Sequence, residues 1–226
     1  MVREELERDG FAIVDGALVE REMIPALAAV SSPEVTRSRA GIRHVLRNPA
    51  IAALAQHPTL LGIVRQVLGP AARAFRAIFF DKSASSNWLV AWHQDISLPL
   101  RHRKEVPGWG PWSEKAGVTY AQAPASRLGR LLALRVHLDD STQRNGPLRV
   151  LPRSHRFGVL AADEVKDLAR QLTPFDCIVQ RGGVLAMRPL LVHASSKSID
   201  ASSRRVLHVE YTESTDLGDG LELTVA

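Results

Sequence analysis

The sequence predicts a mainly β protein with helices flanking its amino-terminal end, folded as an antiparallel sandwich or barrel. Three observations carry this expectation. Apolar residues recur with helical spacing through the first 70 residues, alternate with period two from Arg73 onward, and never fall into a regular strand–helix succession. At 226 residues the chain fits one domain spanning 1–226, with a helical part over 1–70 and a β core over 71–215.

Taken in order, Phe11-Ala12-Ile13-Val14 reads as a short strand. The segment LVEREMIPALAAV places Met23, Ile24, Leu27, Ala28 and Val30 at helical spacing, and Ser31-Ser32-Pro33 ends it. NPAIAALAQ and PTLLGIVRQVLG each begin at or near a proline, where the missing N–H costs least, and the second stops at Gly69-Pro70. FRAIFFD, NWLVAWHQD, RLLALRVHLDD, GPLRVLP, GGVLAMRP, LLVHAS and RRVLHVEYT are then short strands bounded by turn residues. Asn145-Gly146 and Gly182-Gly183 mark turns. The stretch 98–126, with four prolines, Trp109 and Trp112, shows no period and reads as one long functional loop.

Composition excludes several classes. The 45% apolar and 23% charged residues are ordinary globular usage, not that of a disordered chain. No run approaches the roughly 18 apolar residues of a membrane span, and MVREELERDG lacks the apolar centre of a signal peptide. The one cysteine, Cys177, permits no internal disulfide and suits a reducing cytoplasm. A net charge of +5, from 29 basic and 24 acidic residues, is modest and scattered, so no nucleic-acid partner is expected. The densest basic cluster, Arg101-His102-Arg103-Lys104, reads as a solvated loop that could meet an anionic group.

Chemistry concentrates at Trp92-His93-Gln94-Asp95. Strand alternation points His93 and Asp95 to one face and Gln94 to the other. An imidazole beside a carboxylate supplies two of the three ligands of a facial Fe(II) site, and His193, at the end of an apolar strand, could supply the third. The spacing alone is weak, because His137-Leu138-Asp139 repeats it on another strand. Spacing does not choose between the two pairs, although Asp139-Asp140-Ser141-Thr142 runs into a turn. His44, His57, His102, His155 and His208 read as structural or surface residues.

NWLVAWHQD, GWGPWSEKAGV, LDDSTQRNGPLRVLPRSHR, GGVLAMRPLLVHASSKS and RRVLHVEYT, in this order and spacing, resemble the phytanoyl-CoA dioxygenase family of Fe(II)/2-oxoglutarate-dependent oxygenases. The resemblance covers roughly residues 75–212. It implies a double-stranded β-helix, or jelly roll, over the β core. It also implies Fe(II) as the metal and 2-oxoglutarate and O2 as co-substrates. His93, Asp95 and His193 match the family's metal ligands. Arg204, eleven positions after His193, matches the arginine that pairs with the far carboxylate of 2-oxoglutarate; its neighbour Arg205 would point to the opposite face and is the alternative clamp, since only one of the two can enter the site. Ser195 matches a hydroxyl that also binds the co-substrate. Trp112 resembles a family tryptophan, with Trp109 as the other candidate, and Lys82 and Asn87 look like polar groups able to reach the co-substrate. Arg153 stands in PRSH where the family often has glycine, and the ending LTVA is not a peroxisomal address.

The resemblance implies hydroxylation of an unactivated C–H bond in a small molecule, with succinate and CO2 released. Related halogenases leave the Asp95 position vacant for chloride, so its carboxylate favours hydroxylation, desaturation or ring closure. A jelly roll using the same ligands without 2-oxoglutarate would have no use for Arg204. A catalytically silent binding or sensory module would be expected to have lost a ligand or the arginine, and neither is missing. The substrate walls are expected from 98–126, with Trp109, Trp112 and Tyr120. Substrate identity and oligomeric state are not legible.

Overall fold

The computed structural model describes residues 1–31, 41–83, 86–200 and 202–226. Helix α1 (Val2–Arg8) leads into β1 (Phe11–Val14), followed by α2 (Glu20–Ser31) and the short β2 (Gly41–Ile42). Ser32 and Pro33, expected to end α2, lie outside the described residues. Helices α3 (Pro49–Ala55) and α4 (Pro58–Leu68) each begin on the anticipated proline. The Asn48 side chain accepts the Ala50 N–H at 2.9 Å to cap α3.

Next come β3 (Arg73–Lys82), β4 (Val90–His93), β5 (Ser97–Leu100), β6 (Trp112–Lys115), β7 (Val118–Gln122), α5 (Ala125–Leu128), β8 (Leu131–His137) and β9 (Leu148–Val150). The chain continues through α6 (Ala162–Gln171), β10 (Phe175–Cys177), β11 (Val184–Met187), β12 (His193–Ser195) and β13 (Arg204–Thr212). A hairpin of β14 (Asp216–Gly218) and β15 (Leu221–Glu222) follows.

Two antiparallel sheets form the jelly roll. The larger runs β1-β11-β8-β13-β3-β2 and the smaller β10-β9-β12-β4. The central strands of the larger sheet are buried on both faces, which explains their nearly continuous apolar runs. Phe79, Leu134, Val136, Leu207 and Val209 turn outward and share one apolar cluster with Leu6, Met23, Ile51 and Leu60 of the helices. The opposite face of the same strands looks into the roll and carries the chemistry. Burial of the outward side chains, each worth about 1.5–3 kcal/mol, fixes which residues must point inward, because a one-residue slip would exchange the faces.

The 98–126 stretch is not a loop. It forms a three-stranded sheet in the order β5-β7-β6. Pro99 is tolerated because β5 is an edge of that sheet. The β6–β7 turn uses Ala116 and Gly117, both at positive φ (51° and 73°), in place of the more recognisable Asn-Gly. Helix α6 also lies within the part expected to be mainly strand and was not anticipated from the sequence. Val165 is buried there and Leu168 and Ala169 pack beside it, while the remaining face is charged. Arg153 adopts φ 70°, a left-handed conformation that glycine takes at less cost, and its N–H donates to Asp9 O at 2.9 Å.

Candidate metal centre

Strand pairing brings the two distant histidines together. His193 on β12 lies directly opposite His93 on β4, and their ring centroids are 4.2 Å apart. Strand β4 ends at His93, yet Asp95 still turns toward the same space, its N–H donating to Pro189 O at 3.0 Å. Asp95 Oδ1 is 3.8 Å from His93 Nε2, and its Oδ2 is 3.6 Å from His193 Nε2. One ligand atom from each of the three lies within 4.8 Å of the others.

The imidazoles are aimed by their other nitrogens. His93 Nδ1 meets Ala91 O at 2.8 Å and His193 Nδ1 meets Leu191 O at 2.9 Å. A carbonyl can only accept, so each Nδ1 carries the hydrogen and each Nε2 presents a lone pair. Burial, reinforced by His93, pushes the His193 pKa down to about 3, keeping that ring neutral at physiological pH. Burial raises the pKa of Asp95, but His193, His208, His93 and Arg76 more than offset it and hold the carboxyl well below its usual range. Two imidazole nitrogens and one anionic oxygen fit a divalent iron ion.

The adjoining cavity holds about 110 Å3. His93, Asp95 and His193 stand on one side, with Ile78, Phe80, Trp88, Val90 and Leu148 as its apolar walls. Arg204 and Ser195 also line it. Arg204 is 3% exposed; its Nη2 donates to Ser195 Oγ at 3.3 Å, while Nε and Nη1 have no partner. Burial, with Arg135 nearby, lowers its pKa to about 9. A buried guanidinium with free donors fits a carboxylate, which it can meet through two parallel hydrogen bonds. Lys82 Nζ donates to Ser195 Oγ at 2.6 Å, and burial, then Arg204 and Arg135, push its pKa down to about 7.

Arg205 points outward and grips Asp139 with Nε and Nη2, both at 2.7 Å. His137 is fully buried, with neither ring nitrogen partnered, and it does not line the cavity. Gln94 turns away from the metal side, donating to Gly158 O and Leu190 O and accepting from Leu160 N–H.

Asn87 and Trp112 do not line the cavity. Asn87 exchanges two hydrogen bonds with the Ser198 backbone, and Trp112 packs against an apolar cluster that includes Leu98 and Leu100. Tyr120 is buried, its hydroxyl 2.9 Å from His44 Nε2, and Trp109 belongs to the Trp112 cluster. The 98–126 segment therefore does not wall this cavity: Trp109 and Trp112 join a separate apolar cluster with Phe75, Leu128 and Leu217, and Tyr120 meets His44. Gln122 alone of that segment reaches a neighbouring groove of about 400 Å3, beside His93, Ile96, Leu160 and Val165.

Sequence reasoning missed four charged or polar residues here. Arg76, Arg135 and His208 line the cavity. Glu210 pairs with Arg76 and stands 3.2 Å from His208 Nε2. The alternation that turns Arg204 inward also places His208 and Glu210 inward, and an arginine inside an otherwise apolar strand was itself a signal.

A jelly roll whose open side gathers two histidines and an aspartate is the architecture of an iron-dependent oxygenase. The sequence model of the phytanoyl-CoA dioxygenase (PhyH) family matches residues 6–206, and the chain belongs to that family. It is a 2-oxoglutarate-dependent dioxygenase, a class that uses Fe(II), 2-oxoglutarate and O2.

Among curated relatives, L-proline trans-4-hydroxylase from Streptomyces griseoviridis is 23% identical over 229 residues, covering 88% of this chain and 75% of that one. Ectoine dioxygenase from Bordetella parapertussis is 25% identical over 167 residues, covering 66% of this chain and 47% of that one. EctD from S. alaskensis, solved with 2-oxoglutarate and 5-hydroxyectoine, shares the fold at a TM-score of 0.70 and 19% identity, covering 93% of this chain and 74% of that one. The non-heme alpha ketoglutarate dependent epimerase SnoN from nogalamycin biosynthesis gives 0.69 at 19% identity, covering 95% and 82%.

Proposed function

We propose that the protein hydroxylates an unactivated C–H bond of a small organic molecule, consuming 2-oxoglutarate and O2 and releasing succinate and CO2. His93, Asp95 and His193 hold the metal, and the convergence of their three ligand atoms is the observation that carries the reading. Fe(II) with 2-oxoglutarate and O2 supplies the oxidising power; the protein supplies position, charge and dryness.

Arg204 receives the far carboxylate of 2-oxoglutarate through its free Nε and Nη1 donors. Ser195 Oγ stands between Arg204 and Lys82, and its hydrogen bond to Gly146 O fixes its orientation. Lys82 contributes positive charge behind that carboxylate, and an anion there draws it toward its protonated form. The apolar walls from Phe80, Val90 and Leu148 exclude water from the reacting face.

Anaerobic titration with Fe(II) and 2-oxoglutarate tests the reading. A weak visible charge-transfer band should develop at one equivalent, and succinate should form when O2 is admitted. L-Proline and ectoine, taken from the relatives' names, are the first substrates to screen for stimulated succinate release. A protein that binds neither iron nor 2-oxoglutarate would instead be a silent jelly-roll module.

A further inference from the structure

The cavity lining contains one more arginine than the proposed chemistry can pair, even with Lys82 sharing the far carboxylate of 2-oxoglutarate with Arg204. Arg76, Arg135 and Arg204 all line it, against one lining carboxylate, Asp95, and the adjoining Glu210. Arg76 is committed to Glu210, and its Nη1 donates to Ser97 O at 2.9 Å. Arg204 faces the far carboxylate of 2-oxoglutarate. The two charges of Fe(II) are balanced by Asp95 and the head carboxylate of 2-oxoglutarate. Arg135 is left over.

Its surroundings are those of a prepared binding group. Arg135 sits on β8 opposite His208 of β13, at the level of Asp95, and is only 5% exposed. Its Nη1 is 3.3 Å from His208 Nδ1, and His208 Nε2 faces Glu210 at 3.2 Å. This chain of contacts from Arg135 through His208 to Glu210 fixes where the guanidinium points. The planar group lies over the Phe80 ring, 5.2 Å from its centroid. Nε has no hydrogen-bond partner, and no ion pair among the described residues includes Arg135. An unpaired buried cation is costly, so a ligand that supplies the missing anion is favoured.

We propose that the organic substrate carries a carboxylate and that Arg135 receives it, with the substrate's carbon skeleton resting on Ile78, Phe80 and Leu148. This inference rests on the oxygenase reading above, and the experiment separates the two. The protein is first loaded anaerobically with Fe(II) and 2-oxoglutarate; if no visible band forms, the oxygenase reading itself fails. L-Proline, butyrate and benzoate are then titrated against L-prolinamide, butyramide and benzamide, with perturbation of the band as the readout.

At least one acid is expected to bind about 10- to 100-fold more tightly than its amide, the range of one charge-assisted hydrogen-bond pair. Arg135→Met should erase that preference while leaving 2-oxoglutarate affinity within about twofold. Methionine is the safer replacement, since exchanging a buried unpaired charge for an apolar chain tends to preserve folding; Arg135→Gln is the second variant. Acids and amides that behave alike in the unmodified protein, whether both bind or neither does, would overturn the proposal. So would an Arg135→Met protein that keeps the acid preference. A tenfold loss of 2-oxoglutarate affinity without change in that preference would assign Arg135 to the co-substrate's head carboxylate, and would overturn it equally.

Discussion

His93-Gln94-Asp95 and His137-Leu138-Asp139 have the same spacing and opposite fates. In the first pair the carboxylate meets no arginine within ion-pair distance among the described residues and stands between imidazoles, 3.8 Å from His93 and 3.6 Å from His193. In the second the carboxylate is held by the two-pronged guanidinium of Arg205 on the outer side of the sheet, while the imidazole is buried without a partner. Spacing places a histidine and an aspartate near each other along the chain. What makes a site is the third side chain that arrives across the fold: another imidazole in one case, an arginine in the other.

The sharpest way to break this contrast is to remove the two carboxylates. Asp95→Ala is expected to weaken iron binding by about 100-fold or more, whereas Asp139→Ala should leave it within about twofold, as equilibrium dialysis of Fe(II) would measure. The two adjacent arginines extend the comparison to the co-substrate. Arg204→Ala should weaken 2-oxoglutarate binding by about 10- to 100-fold, the worth of a charged hydrogen-bonded pair. Arg205→Ala should change it less than twofold.

Lys82 gives a pH signature confined to the inner face. Its folded-state pKa is depressed to about 7 from a normal lysine value, so between pH 7 and about 10 the unfolded chain binds the proton that the folded one has lost. Its contribution to stability therefore rises across that window and is lost below pH 7, where the buried amine must carry charge. Thermal melts of the metal-free protein should show that rise, and Lys82→Met should flatten it. The smallest effect is expected outside: losing the half-exposed Arg205–Asp139 pair should cost about 1 kcal/mol in denaturant unfolding.

The parts of the fold that follow from burial were legible in the sequence. RLLALRVHLDD and RRVLHVEYT read as strands because both faces are covered, and Asn48-Pro49 and Pro58 marked helix starts because caps act locally. The sheet formed by β5, β6 and β7 was hidden by Pro99 on an edge and by an Ala-Gly turn, neither of which advertises a hairpin. Helix α6 was hidden because it buries so little of a charged surface. At the site, alternation showed that only one of Arg204 and Arg205 could enter, and the resemblance's spacing favoured Arg204; burial and the Ser195 contact place Arg204 inward. His208 reads as a structural or surface residue, and Arg76 and Arg135 carry no motif of their own, although the same alternation turns all three inward. Trp112 went elsewhere because tryptophans also fill small cores, and nothing local distinguishes the two uses.

The central claim is that one ferrous ion is held by His93, Asp95 and His193, and not by the second pair. The most direct test is the iron stoichiometry of His93→Ala beside that of His137→Ala, both prepared anaerobically and confirmed folded by circular dichroism. The account expects no bound iron in the first and one equivalent in the second. Iron retained by His93→Ala but lost from His137→Ala would contradict it.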